Sequence, residues 1–189
     1  SKRELLEFLK SIKVSQNSWF VFEASESIAL AARAWWLFKL NGFEKISILD
    51  NTRTLYGNTE PVRVIQTSEL EGMIDEKTSQ IIDLRHPEEF GGVGFDGEGY
   101  PGHIPGSKNL FVKNLLDGEG CFLDIDNLKA TVQNNIDVGL PVVSTCGGGV
   151  AATVLDIALR LLDLKTAIVY DGSMHAWTFC PDRKVSLGS

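Results

Sequence analysis

Residues 141–162 read PVVSTCGGGVAATVLDIALRLL, and the fold is decided there. Pro141 to Thr145 is a short apolar run rich in β-branched residues, which reads as a buried strand. Cys146 ends it, three glycines turn the chain, and the apolar segment from Ala151 to Leu162 reads as a helix. Thr166 to Tyr170 reads as the next strand. Strand, glycine loop, helix, strand is the unit of a parallel α/β sheet.

Working outward, Ser79 to Leu84 is a second buried-strand candidate, followed by a loop from about Pro87 to Pro105 rich in glycine and acidic residues. That composition predicts turns rather than a helix. The segment from Asn51 to Glu60 reads as a turn or linker. Before it, Leu5, Phe8, Leu9 and Ile12 lie at helical spacing within residues 1–14, Trp19 to Phe22 reads as a strand, Ser25 to Ser27 as a polar loop, Ile28 to Leu40 as a helix with Gly42 at its end, and Lys45 to Leu49 as a strand. The two halves repeat one pattern. With an offset of 122, Ile28-Ala29 falls on Val150-Ala151 and Phe20-Val21-Phe22 on Val142-Val143-Ser144; one gap then brings Asp50 onto Asp171. Ala24 stands where Cys146 stands, so only the second copy is suited to thiol chemistry.

The chain has 189 residues, 43% of them hydrophobic and 23% charged, which suits one domain or one and a half and a proper core. A formal charge of −7 and a pI near 5.0 argue against nucleic acid or an acidic membrane surface as partner, because phosphate neutralisation needs clustered Lys and Arg. No apolar run approaches the roughly 20 residues of a membrane span, and the start lacks the apolar core of a signal peptide. A soluble protein of the cytoplasm or mitochondrion is expected, although a first residue of Ser rather than Met leaves an upstream segment open. Cys121, Cys146 and Cys180 show no CxxC spacing and no histidine cluster, so neither a disulfide framework nor a zinc site is expected.

Cys146 is the candidate nucleophile. The glycines let the backbone curl so that several N–H groups converge on one point, and the following helix N-terminus adds partial positive charge. Both favour the thiolate, the form that attacks sulfur, and the same cradle suits a persulfide anion. Gly147, Gly148, Gly149, Val150 and Ala151 are therefore the candidate binding loop. The competing readings are an incidental Cys in a tight turn, a P-loop and a cysteine phosphatase. A P-loop needs Gly-Lys-Ser/Thr where Val150-Ala151-Ala152 stand, and a cysteine phosphatase needs an Arg where Ala152 stands, so phosphate chemistry is disfavoured.

The ordered strings Ile82-Asp83-Leu84-Arg85, Glu88-Glu89-Phe90, Gly102-His103-Ile104-Pro105-Gly106-Ser107 and Asn109-Leu110, then Cys146 to Ala151, and Tyr170-Asp171-Gly172-Ser173 with Trp177, together resemble the signatures of rhodanese-like sulfurtransferase domains over roughly residues 62–182. Ala31 to Trp36 and Ile46 to Leu49 resemble the second half of the inactive first domain in tandem members. The resemblance implies an α/β fold with a central parallel sheet flanked by helices, a partial and inactive segment at residues 1–60 and a catalytic domain at residues 61–189. It also implies transfer of sulfur through a Cys146 persulfide from a small donor to a thiol or cyanide, with no metal or organic cofactor. The loop, with small neutral residues after the Cys, resembles the 3-mercaptopyruvate sulfurtransferase type most; thiosulfate is the next donor. There are departures. The two arginines that hold the substrate carboxylate in that type fall near Glu89 and Asp96, and Gly148 replaces a Ser.

Asp83, Arg85 and His103 are expected to support the loops, His103 with the option of facing the site. His86 and His175 read as loop histidines without a role, and Trp35 and Trp36 as packing. The acidic stretch Glu88, Glu89, Asp96, Glu98 reads as a solvated loop or a selector of a cationic partner. Cys121 and Cys180 lack an activating neighbour. A non-catalytic interaction module or protein-persulfide relay is the alternative reading, and a homodimer is a possible assembly.

Overall fold

The computed structural model describes residues 2–24, 27–50, 53–55, 60–93, 97 and 99–188. The order of elements is α1 (Lys2–Ser11), β1 (Phe20–Phe22), α2 (Ile28–Leu40), β2 (Ile46–Asp50), β3 (Arg53–Leu55), β4 (Arg63–Ile65), α3 (Thr67–Glu76), β5 (Gln80–Asp83), α4 (Pro87–Gly91), β6 (Lys108–Asn109), α5 (Ile125–Asn135), β7 (Val142–Thr145), α6 (Ala152–Leu161), β8 (Ile168–Tyr170) and α7 (Ser173–Thr178). Two sheets result: a three-stranded one in the order β1-β2-β3 and a five-stranded one in the order β4-β8-β7-β5-β6. Every pairing in the second sheet is parallel. The α/β class and the parallel sheet flanked by helices are as expected from sequence.

The strands are apolar because they are covered on both faces. All residues of β5, β7 and β8 are buried, which is the behaviour of central parallel strands. One apolar cluster holds Trp35, Trp36, Ile46 and Ile48 from the N-terminal elements together with Ile82, Leu84, Leu155 and Val169, so a single core runs through both sheets. A second cluster on the other face contains Ile65, Ile81, Val143, Met174 and Trp177. α6 is buried from Ala152 to Arg160, because α2 packs against it as well as the sheet. Asp156 and Arg160, one turn apart on α6, are buried with it and satisfy each other as an ion pair.

The repeat read from sequence recurs in the strand register. β1 pairs with β2 as Phe20↔Ile46 and Val21↔Ser47, both parallel. Shifted by 122 in β1 and 121 in β2, Val21↔Ser47 becomes Val143↔Ile168, the register observed between β7 and β8.

Three expectations need correction. The segment read as an all-turn loop contains α4, where Pro87 occupies the first turn, His86 Nδ1 accepts the Glu88 N–H, and Gly92 closes the helix at φ +67°. The segment read as a linker contains β3, antiparallel to β2; its residues 51, 52 and 56–59 lie outside the described set, as do Ser25, Glu26, Asp96 and Glu98. Helices α3 and α5 had no counterpart in the sequence reading. No helix among the described residues is long and apolar enough to cross a membrane.

Candidate active site

β7 lies at the centre of the five-stranded sheet, and Cys146 follows its last residue. The connection after β5 runs to β6 on one side, and the connection after β7 runs to β8 on the other. Cys146 thus sits at the carboxyl end of the strand where the winding reverses, the place where open α/β sheets leave a crevice for ligands. Cys146 is only 3% exposed, whereas Gly148 and Val150 of the same loop reach the surface.

The loop's carbonyls account for its polarity. Cys146 O accepts from Met174 N–H and Gly147 O from His175 N–H, both in the first turn of α7. Gly149 O accepts from Arg33 Nη1, Val150 O from the Thr153 N–H and hydroxyl, and Ala151 O from Val154 N–H. In a trans peptide the N–H points opposite to the C=O of the residue before it, so each bonded carbonyl also fixes the direction of the N–H that follows. The Gly149 N–H donates to Cys146 Sγ at 3.1 Å. This is the arrangement that stabilises negative charge on sulfur.

The three glycines of the curl are not equivalent. Only Gly149 has a positive φ, +83°, and a Cβ there would stand 2.4 Å from Asp171 O. At Gly147 and Gly148 a Cβ would meet nothing within 4 Å. Their value is open space at the mouth of the loop. The helix also begins later than expected: α6 starts at Ala152, so a five-residue loop separates it from Cys146.

Ser173 is a site residue that the sequence reading quoted but did not assign. It is fully buried and sits at φ +49°, a costly conformation for a residue with a Cβ. Its Oγ accepts the Cys146 N–H at 3.1 Å, donates to Tyr170 O at 2.9 Å and lies 3.8 Å from Cys146 Sγ. A hydroxyl has one proton, so charge on the sulfur competes with the Tyr170 carbonyl for it. Arg33, from α2, was likewise missed; its Nη1 stands 2.6 Å from Asp171 Oδ1. That contact is an ion pair by distance and off-line as a hydrogen bond, since Oδ1 has no partner of hydrogen-bond geometry.

Asp83 and Arg85 form one buried network, and His103 forms a separate set of contacts. Asp83 is fully buried, and Arg85 grips it through Nε and Nη2 while also donating to Glu89, Tyr100 O and Gly102 O. Burial works against the charge of Arg85, but the Asp83 and Glu89 carboxylates outweigh it and hold the guanidinium protonated above its usual range. Glu89 is therefore neutralised by Arg85 rather than left to repel an anion. His103 stacks on Phe90 at 3.8 Å between centroids and meets Phe90 O through Nδ1, while its backbone bridges Ser186. These contacts tie it to α4 and the C-terminal tail. His175 has more to do than expected: besides its N–H on Gly147 O, its Nδ1 meets the Tyr100 hydroxyl at 2.5 Å. Partial burial and the nearby Asp50, Asp117 and Glu119 carboxylates push the Cys121 thiol up to about 11, the opposite of activation.

A family profile for the rhodanese-like domain matches residues 66–180. The chain is 29% identical over 194 residues to 3-mercaptopyruvate sulfurtransferase of Escherichia coli K12, covering 89% of this chain and 68% of that one. It is 26% identical over 216 residues to thiosulfate/3-mercaptopyruvate sulfurtransferase 2 of Arabidopsis thaliana, covering 91% and 63%. Among solved structures, SseA from Escherichia coli, a 3-mercaptopyruvate sulfotransferase with the rhodanese fold, superposes with a TM-score of 0.69 at 28% identity over 88% of this chain and 72% of that one. The Tum1 protein of Saccharomyces cerevisiae shares the fold with a TM-score of 0.84 at 17% identity, over 100% and 75%. The chain spans between 53% and 68% of the length of such curated relatives. With the profile covering more than half of its residues, the chain belongs to the rhodanese family.

Proposed function

We propose that this chain is a sulfurtransferase that carries sulfur as a persulfide on Cys146. The observation that supports the reading best is the buried sulfur that accepts its own loop's N–H at 3.1 Å, in a loop whose bonded carbonyls have partners other than the sulfur. In the first step the Cys146 thiolate attacks the sulfur of the donor. With 3-mercaptopyruvate the new S–S bond forms as the donor's C–S bond breaks, the electron pair goes to carbon, and the donor's thiol proton ends on the methyl group of pyruvate. In the second step an acceptor thiolate or cyanide attacks the outer sulfur, and the S–S bond breaks to return the Cys146 thiolate. The remaining N–H groups of residues 147–151 hold the outer sulfur of the intermediate.

The donor we favour is 3-mercaptopyruvate, because no basic residue stands in the loop to hold the dianion thiosulfate. The names of the relatives include both donors. We further infer that residues 1–60 are the second half of a silent copy, with Ala24 in the place of the nucleophile; the repeated strand register favours this. Cytoplasm or mitochondrion remains the compartment we favour, and one Arabidopsis relative is named as mitochondrial. Pyruvate release from 3-mercaptopyruvate and sulfite release from thiosulfate, each with a thiol acceptor, test the reading. Turnover with the first donor that is lost in Cys146→Ser supports it. Absence of turnover with both donors overturns it.

A further inference from the structure

We propose that Arg33 is a positioning residue for Cys146, acting from the N-terminal elements through Gly149; the inference rests on Cys146 being the reactive thiol. Gly149 is the residue whose N–H reaches the sulfur, and its orientation is set from two sides. On one side its backbone lies flush against Asp171, so closely that a Cβ would stand 2.4 Å from Asp171 O. On the other, Arg33 Nη1 donates to Gly149 O at 3.3 Å. The same nitrogen stands 2.6 Å from Asp171 Oδ1, so one guanidinium ties the loop to the end of β8. The guanidinium is itself held: its carbon lies 5.1 Å from the ring centroid of the fully buried Trp36, three residues along α2.

The consequence follows from the geometry of the peptide. The Gly149 N–H lies in the peptide plane before its Cα and Gly149 O in the plane after it, so holding the carbonyl fixes one of the two planes that meet at Gly149 and narrows the arc through which the N–H can swing from the sulfur. Arg33 thereby aims the Gly149 N–H without touching the thiol. Its pull on the carbonyl also polarises the next peptide and makes the Val150 N–H a better donor. The other charged or titratable side chains on the elements around the loop are already committed. Asp171 pairs with Arg33, His175 with Tyr100, and Asp83 with Arg85 at the end of β5.

The test is the pH profile of iodoacetamide alkylation at Cys146, followed by peptide mass in the full chain, for wild type, Arg33→Gln and Arg33→Lys. Arg33→Gln keeps much of the stem on Trp36 and loses the charge. We expect its midpoint to rise by about one pH unit, a tenfold loss of thiolate at neutral pH. Arg33→Lys, which keeps the charge but not the planar fork, should rise by less. At pH well above both midpoints the variants should approach the wild-type rate. A role in stability alone would lower the melting temperature and leave the midpoint where it was; that result overturns the proposal. If Arg33→Gln does not fold, Arg33→Lys decides, and an unmoved midpoint there overturns it equally. Alkylation needs no sulfur donor, so a shifted midpoint in a protein that transfers no sulfur would keep this inference and sink the proposed reaction.

Discussion

Adjacent glycines in the Cys146 loop should respond to the same substitution to very different degrees. In Gly149→Ala the added Cβ would stand 2.4 Å from Asp171 O and 3.0 Å from Asp171 Oδ1, whereas ordinary contact begins at 3.4 Å. The loop must retreat by about 1 Å, and φ +83° adds about 1–2 kcal/mol of strain for a residue with a Cβ. A retreat of that size takes the Gly149 N–H from 3.1 Å to the limit of hydrogen-bond reach of the sulfur. A hydrogen bond to a charged group contributes about 1.5–3 kcal/mol, so its loss should slow the alkylation of Cys146 at neutral pH by about ten- to a hundredfold. Gly148→Ala meets open space and needs no positive φ, and should leave the alkylation rate of Cys146 within about twofold of wild type. The assay is the alkylation profile of Cys146 against pH, with circular dichroism to show that each variant is folded. Equal rates for the two variants at neutral pH, or a slower rate in Gly148→Ala, would refute the account of the loop.

Cys121, with its thiol near 11, should show an alkylation rate that climbs about tenfold per pH unit from pH 7 to 10 with no plateau, when its labelled peptide is quantified. The sign follows from linkage: the folded pKa lies above the unfolded one, so the stability tied to this thiol is full below the unfolded pKa and is lost as pH rises through about 11. Arg85→Ala leaves the fully buried Asp83 carboxylate without its partner and should cost about 3–5 kcal/mol in urea unfolding. Ser173→Ala removes the acceptor of the Cys146 N–H, and should lower stability by about 1–3 kcal/mol and raise the midpoint of Cys146 alkylation.

The strand, loop and helix around Cys146 were legible because their pattern is local: a β-branched run, glycines, then an apolar helix. One of the family signatures, Cys146 to Ala151, lies in the same stretch. What the glycines do was not legible, because a residue type does not carry its φ; only the approach of Asp171 shows that Gly149 alone is constrained. Arg33 lies 116 residues from Gly149, and no periodicity reports a contact made when two helices distant in sequence pack together. Ser173 stood in a quoted motif, yet its role depends on a left-handed backbone that brings its hydroxyl back to the loop. α4 was misread for a different reason. Its glycines and acidic residues outweighed two start and stop signals that were present, Pro87 in the first turn and Gly92 after the last. α3 carries a capping box from Gln66 and Glu69 and α5 an Asp124 cap, signals that would have found both helices.

The most direct measurement is the intact mass of the protein after brief incubation with 3-mercaptopyruvate or thiosulfate and no acceptor, for wild type and Cys146→Ser. The account predicts a gain of about 32 Da, one sulfur atom, in wild type alone, located on the Cys146 peptide and discharged when a thiol is added. An adduct that persists in Cys146→Ser, or a wild type that gains no sulfur from either donor, would contradict it.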